Sequence, residues 1–399
     1  MKKEQALFIN RSEGKGGVPM KWNRALLSKL MLTGTLAVTV AAVPESAEVS
    51  NVHATTDKTV TTSVDDIRQK LLTAMNSREA YLRFVYQGQT KSLKAHLKNA
   101  LDQAMDSDPY IHYTIASYSY DYRGTSSSAD VTVRLTYRET AEQTRYVDRR
   151  VKDILAAVIK PGMSSHEKVK AINDWVVLNL KYDTSLKKYT AYDGLSTGST
   201  VCQGYSLLTY KLLKSAGIEN KIVEGTAYPS GSGQGQLHAW NLVKLDGKWY
   251  HLDTTWNDPV PNREGKVSYT HYLRSDAQMA KDHTWVKSYP AASTSYSTTL
   301  NALASKPSSK AAAYRALIQA LEYDLHDPKA AIRTYDQLHA KVNAAVKKNQ
   351  QELVFRYDGE ERGLLALLQE LQRKAGVGTI RYYHDSLEDS DDLKVHISW

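Results

Sequence analysis

The sequence predicts an α+β protein, with a central domain in which a helix packs on an antiparallel sheet and two copies of a small α-β-α-β-β module flanking it. Three observations predict this. Residues 238–256 alternate apolar and polar side chains about an Asp246-Gly247 pair, the signature of a two-residue β-hairpin. Residues 202–216 carry Tyr205, Leu208 and Leu212 at helical spacing and stop at Gly217. The stretch LRFVYQG (82–88) recurs in altered form as LVFRYDG (353–359), and self-similarity at long range marks a repeated unit.

A length of 399 residues suits two or three domains. With 42% hydrophobic and 24% charged residues, the chain can build packed cores. It holds one cysteine, which excludes an internal disulfide, a Cys-based zinc site and an iron–sulfur cluster. A buried spectator or a nucleophile remains. The formal charge of +9 permits an anionic partner, but no Lys/Arg run of nucleic-acid type is present, so no nucleic-acid partner is expected.

Residues 1–54 read as an export segment. Lys21, Arg24 and Lys29 precede the apolar run 30–43, and Val52-His53-Ala54 offers a signal-peptidase site; Met20 is an alternative start. The run is short for a bilayer span, so no integral span is expected after its removal, and a retained anchor is the competing reading. Seven basic and four acidic residues leave with it. The remaining chain is mildly basic, which makes an anionic cell-wall polymer a candidate partner and ordinary colloidal solubility the plainer explanation.

The rest divides into a module at 55–160, a central domain at 161–290, an Ala/Ser/Thr-rich linker at 291–312 and a second module at 313–399. In the repeat, Phe84 aligns with Phe355, Ile111-His112-Tyr113 with Ile380-Arg381-Tyr382, and the strand VTVRLTY (131–137) with LKVHISW (393–399). Helical patterns at 65–76 and 330–347 precede the first strands, and others at 90–105 and 361–374 follow them. The central domain opens on Ser164-x-x-Glu167, a capping-box pattern, and Val169, Ile172, Val176 and Leu180 give its helix an apolar face.

Chemistry is expected in this central domain. Cys202 stands at the start of its helix, where unpaired amides and the helix dipole favour a thiolate. Closing the hairpin at Asp246-Gly247 pairs Leu245 with Lys248, Val243 with Tyr250 and Trp240 with Asp253. His238, Trp240 and Asp253 then share a face, with His238 and Asp253 as diagonal neighbours within reach of one another. A thiolate facing a histidine that an acid orients supplies a nucleophile, a base and an orienting group. His251 competes for the base, but His238 stands at the mouth of the hairpin behind the loop 229–236, a candidate flap. Trp240, Trp249 and Trp256 are candidates for a groove wall or for core. The oxyanion needs donors beyond the Cys202 amide, and Trp240, Gln203 or an upstream backbone group is a candidate.

These residues resemble the transglutaminase-like, papain-type Cys-His-Asp superfamily, and its bacterial exported branch most of all. VCQGYSLLTYKLLKSAGI (201–218) is similar to the family's nucleophile helix and HAWNLVKLDGKWYHLDTTWND (238–258) to its His-then-Asp hairpin. Lys181-Tyr182-Asp183 and YTHYLRSDAQM (269–279), followed by His283 and Trp285, look like further family features. The resemblance covers roughly 161–290. It implies a transglutaminase-like core with Cys202 as nucleophile, His238 as general base and acid, and Asp253 as orienting carboxylate. Gln203, Tyr182 and Trp240 are the candidate substrate contacts, with no cofactor and no metal. The expected function is acyl transfer through a Cys202 thioester, by a peptidase or amidase or by a cross-linking transglutaminase. Its partner is a peptide or protein substrate, and its location is secreted or at the cell wall. A catalytically silent surface scaffold is the alternative.

Overall fold

The computed structural model describes residues 60–229, 233–258, 265–375, 379–387 and 390–399. The export segment expected at 1–54 lies outside them. The chain forms two compact units that part between Thr294 and Ser295.

The first unit begins with a two-layer module. Ser63 and Asp66 form a capping box that starts helix α1 (Val64–Ser77). Strand β1 (Val60–Thr61) runs parallel to β2 (Tyr81–Gln87), and α2 (Leu93–Asp106) follows. Asp108 caps the short helix α3 (Pro109–Thr114), with Pro109 in its first turn. The long strands β3 (Ile115–Gly124) and β4 (Ser128–Tyr137) complete a sheet of order β1-β2-β4-β3. The two longer helices cover one face, and Ile67, Leu71, Leu97 and Leu101 meet Phe84, Tyr86, Val131 and Val133 there. Residues 111–113, aligned above with a strand of the other module, are helical because Asp108-Pro109 starts a helix that ends only at Thr114.

Helix α4 (Ala141–Val158) and helix α5 (Ser165–Asn179) each start on a capping box, from Thr140/Gln143 and Ser164/Glu167. Val169, Ile172 and Val176 of α5 are fully buried. A short parallel pair, β5 (Lys181–Tyr182) and β6 (Ser199–Thr200), brackets helix α6 (Ala191–Thr197) and delivers the chain to α7 (Cys202–Ser215). Beneath α7 lies an antiparallel sheet of order β10-β7-β8-β9, built from β7 (Asn220–Ala227), β8 (Gln236–Leu245), β9 (Lys248–Leu252) and β10 (His283–Trp285). The β8–β9 turn has φ of 48° at Asp246 and 78° at Gly247, the left-handed pair that a type I′ hairpin needs. Its register is the expected one: Leu245 faces Lys248, Val243 faces Tyr250 and Leu242 faces His251. The short helix α8 (Asp276–Met279) precedes β10.

The second unit contains α9 (Tyr296–Ser305), α10 (Ala311–Ala320), α11 (Tyr335–Val346), β11 (Glu352–Tyr357), α12 (Glu361–Ala375), β12 (Arg381–Ser386) and β13 (Leu393–Ser398). Its antiparallel sheet has the order β11-β13-β12, and Ile332 forms a parallel bridge to Tyr357. Phe355, Leu364, Leu368, Val395 and Ile397 form its core. The expected linker at 291–312 is corrected by α9, whose Tyr296, Thr299, Leu300 and Ala304 are buried. Small residues tolerate a helix, and tertiary burial of Tyr296 and Leu300 decided the outcome against a composition-based reading. Among the described residues no helix is long and apolar enough to cross a membrane.

Candidate active site

Cys202 occupies the first turn of α7. Val201 precedes it as N-cap and supplies no capping side chain, so the amides of that turn have no side-chain acceptor. The turn is pinned from two sides. Ser206 Oγ donates to Ala239 O at 2.7 Å and to Cys202 O at 2.9 Å, which ties it to β8. Gly204 lies so close to Thr200 and to the Thr190 carbonyl that any Cβ would overlap them. The result is a thiol held rigidly and only 5% exposed.

His238 enters from the first half of β8 and is buried. Its Nε2 lies 2.6 Å from Asp253 Oδ2, and the ring also interacts electrostatically with the Cys202 thiol. Burial by itself would lower the imidazole pKa. The Asp253 charge and hydrogen bond, with Cys202 adding to them, outweigh it and hold His238 up at about 10. Asp253, directly after β9, is fully buried. Burial would raise its pKa, but the His238 charge and hydrogen bond, with His283 beside them, keep it well below the usual carboxylate range. Its other oxygen, Oδ1, accepts the N–H groups of Thr255 at 2.9 Å and Trp256 at 3.1 Å. The three residues expected to act together are therefore assembled in one buried cluster, with every lone pair of Asp253 facing a donor or an imidazole.

The competitor, His251, is engaged elsewhere. Its Nδ1 accepts from Trp240 Nε1 at 2.8 Å and its Nε2 lies 2.8 Å from Asp276 Oδ1. That pairing also corrects the expectation for Trp240. With 0% exposure and its N–H given to His251, it neither walls a groove nor offers an oxyanion donor. Alternation along a strand tells which face a side chain takes but not how deeply that face is covered. Gln203, next to the nucleophile, is buried with no partner for Nε2. Tyr182 stacks on Tyr205 with ring centroids 6.5 Å apart. Burial first, and then the field of Cys202, push its hydroxyl well above the ordinary tyrosine range.

Several neighbours carried no local signal. Tyr113, from α3 of the N-terminal module, donates to Glu224 Oε1 of β7 at 2.5 Å, so this module touches the sheet that carries His238. His283, noted in the sequence only within a longer similarity, lies with Nε2 3.3 Å from Asp253 Oδ2. Asp282 bridges it to His271: Oδ1 is 2.6 Å from His283 Nδ1 and Oδ2 is 2.9 Å from His271 Nε2. Only the pairing of β10 with β7 could reveal this row. The ligand-type atoms of His238, Asp253 and His283, and those of His271, Asp282 and His283, lie within 4.8 Å of one another. Three of the nitrogen–oxygen spacings are 2.6–2.9 Å, those of shared protons, and the His283–Asp253 spacing is 3.3 Å.

Residues 152–254 match the family model described as the transglutaminase-like superfamily. The chain is 26% identical over 185 residues to the kyphoscoliosis peptidase of Mus musculus, covering 42% of this chain and 28% of that protein. It is 28% identical over 148 residues to the Homo sapiens kyphoscoliosis peptidase, covering 33% of this chain and 22% of that protein. The matched stretch thus spans about a quarter of the length of these relatives. A crystal structure of a TGase aligns at 16% identity and a TM-score of 0.27, over 50% of this chain and 61% of that one. A Bacillus cereus arylamine N-acetyltransferase with a Cys-His-Glu triad aligns at 13% identity and 0.19, over 27% and 48%. Cys202, His238 and Asp253 all fall inside the one stretch of this chain that matches the transglutaminase-like superfamily.

Proposed function

We propose that this protein is a thiol-dependent acyl-transfer enzyme acting on amide bonds of peptides or proteins. The observation that carries the reading is the buried Cys202–His238–Asp253 cluster, in which one imidazole is hydrogen-bonded to the carboxylate and interacts electrostatically with the thiol. His238 takes the thiol proton, and Asp253 stabilises the imidazolium so formed. Cys202 Sγ attacks the amide carbonyl, and the oxyanion draws on the Cys202 amide and on the unpartnered Gln203 Nε2. As the C–N bond breaks, His238 gives its proton to the leaving amine and a Cys202 thioester remains. Water or a second amine then adds to the thioester. His238 takes the incoming proton and returns it to the departing sulfur. The naming of the matched relatives as peptidases favours water as the acceptor.

Three parts of this reading rest on the sequence. The basic-then-apolar segment before residue 55 supports export from a bacterium, which makes wall peptides or surface proteins candidate substrates. The boundaries 55–160, 161–290 and 313–399 are the proposed domains. The terminal modules are proposed copies of one unit, supported by the shared strand order and by a parallel bridge at the same edge of each sheet.

The test compares the full chain with Cys202→Ala on quenched-fluorescence peptide pools, peptidoglycan fragments and amine-donor/glutamine pairs. Loss of turnover by about a thousandfold or more in the variant is expected. Equal turnover by both proteins overturns the proposal. An inert wild type whose iodoacetamide labelling ignores His238→Gln does so too, and leaves the silent scaffold.

A further inference from the structure

We propose that His271, Asp282 and His283 form a binding site for one divalent transition-metal cation of the zinc class, set one layer behind the Cys202–His238–Asp253 cluster. This site lies outside the acyl-transfer reading and does not depend on it.

The donor set is two imidazoles and one carboxylate. Asp282 stands between the rings, with Oδ1 2.6 Å from His283 Nδ1 and Oδ2 2.9 Å from His271 Nε2. One ligand atom from each of the three residues lies within 4.8 Å of the other two. Zinc bonds of about 2.0–2.2 Å place tetrahedral ligands roughly 3.3 Å apart. Small side-chain rotations therefore open the two short spacings enough to admit the ion. Imidazole ligands select zinc-class cations over magnesium and calcium, which prefer oxygen. Three protein ligands leave a fourth position to water.

A metal must displace the ring protons that Asp282 shares with its neighbours. The far nitrogens, His271 Nδ1 and His283 Nε2, are buried without a hydrogen-bond partner. Moving each ring proton to the far nitrogen therefore breaks only the bond to Asp282, which ligation replaces. Both imidazoles stay neutral through this shift, and Asp282 supplies the negative charge that the cation needs.

The backbone fixes all three residues. The His271 N–H donates to Asn257 Oδ1 at 2.9 Å, and the His271 carbonyl accepts from the Asp253 N–H at 3.0 Å. The Asp282 carbonyl accepts from the Tyr228 N–H at 2.8 Å, and His283 pairs with Ala227 where β10 joins β7. The Trp256 ring packs against both imidazoles, with centroids 4.8 Å from His271 and 4.5 Å from His283. Ligands held by a rigid frame in this way are preorganised for an ion. The two rings are buried, whereas the Asp282 side chain is 30% exposed and opens the set to solvent.

His238, Asp253 and His283 also converge within 4.8 Å. They make the poorer ligand set, because Asp253 is fully buried and its Oδ1 is filled by two backbone N–H groups.

The test uses full-length Cys202→Ala protein stripped with a chelator, so that the thiol cannot bind metal. Calorimetric titration with ZnCl2 should show one equivalent bound with micromolar or tighter affinity. Adding Asp282→Asn, a half-buried position that tolerates change, should weaken binding by about tenfold or more, and adding the more buried His271→Gln should do the same. Adding His238→Gln, which spares all three ligands, should leave the affinity unchanged. Cobalt(II) should give the Cys202→Ala protein a visible d–d spectrum that Asp282→Asn abolishes. Melting temperatures in EDTA show which variants fold, and Asp282→Asn decides the matter if His271→Gln does not. Failure of Cys202→Ala to bind zinc, equal binding with and without Asp282→Asn, or loss of binding with His238→Gln each overturns the proposal. Because Cys202→Ala has no nucleophile, failure of the enzyme reading leaves this result untouched.

Discussion

His238 keeps its proton to about pH 10 although its burial pulls the other way. A group whose pKa rises on folding stabilises the folded state fully below its unfolded value and loses that contribution as pH climbs to the folded one. The window here runs from 6.5 to about 10. The melting-temperature gap between wild type and His238→Gln should therefore be widest between pH 5 and 6.5 and narrow steadily toward pH 10, by scanning calorimetry; a gap independent of pH would contradict the coupling to Asp253. The same residue scale shows what can be read locally. Cys202 was legible because a helix start is announced by a few adjacent residues, and the His238–Asp253 pairing followed from the arithmetic of a two-residue turn. Between groove wall and core for Trp240 the sequence alone could not choose, because its depth depends on what other strands and loops lay over it.

Elements in this protein are set by punctuation. Capping boxes open α1, α4, α5, α6, α8 and α11. Each reciprocally satisfies two amides that would otherwise be orphaned, which is why such helix starts can be read from four residues. Gly204 is punctuation of another kind. Replacing an interior helix glycine by alanine ordinarily stabilises by up to about 1 kcal/mol. Here the new Cβ would overlap Thr200 and sit 2.8 Å from the Thr190 carbonyl. Gly204→Ala should instead destabilise by about 1–3 kcal/mol, the cost of overpacking, and shift the first turn of α7 enough to slow iodoacetamide labelling of Cys202. Urea unfolding and labelling rates check both; a stabilised variant would refute the packing argument. The composition of 291–312 misled at this scale. Alanine and serine are compatible with linker and helix alike, and the burial of Tyr296 and Leu300 chose between them.

At the scale of the whole molecule, the two phenylalanines after residue 54 anchor two separate cores. Phe84 packs with the residues around β2 and β4, and Phe355 with those around β11 and β13. Truncating either to alanine should cost its own core about 3–5 kcal/mol. Their consequences for Cys202 should differ. The Phe84 core includes Ile111 and Ile115, which flank the Tyr113 that binds Glu224 of β7. In mild urea, Phe84→Ala should speed labelling of Cys202 by a bulky disulfide reagent, whereas Phe355→Ala should unfold the second unit and leave that rate near wild type. Equal acceleration by both would mean that the units unfold as one.

The sequence alone determined what depends on neighbours along the chain: the helix that begins at Cys202, the hairpin at Asp246-Gly247 and its register, and the capped helix start at Ser164 and Glu167. Only the tertiary structure decided what depends on separate strands meeting. It set β10 beside β7, placed His283, Asp282 and His271 behind Asp253, buried Trp240 and brought Tyr113 to the sheet that carries His238. The physical reason is range. Capping, turn geometry and side-chain alternation act over a few residues, whereas burial and buried charge pairing are fixed by which distant segments exclude water together.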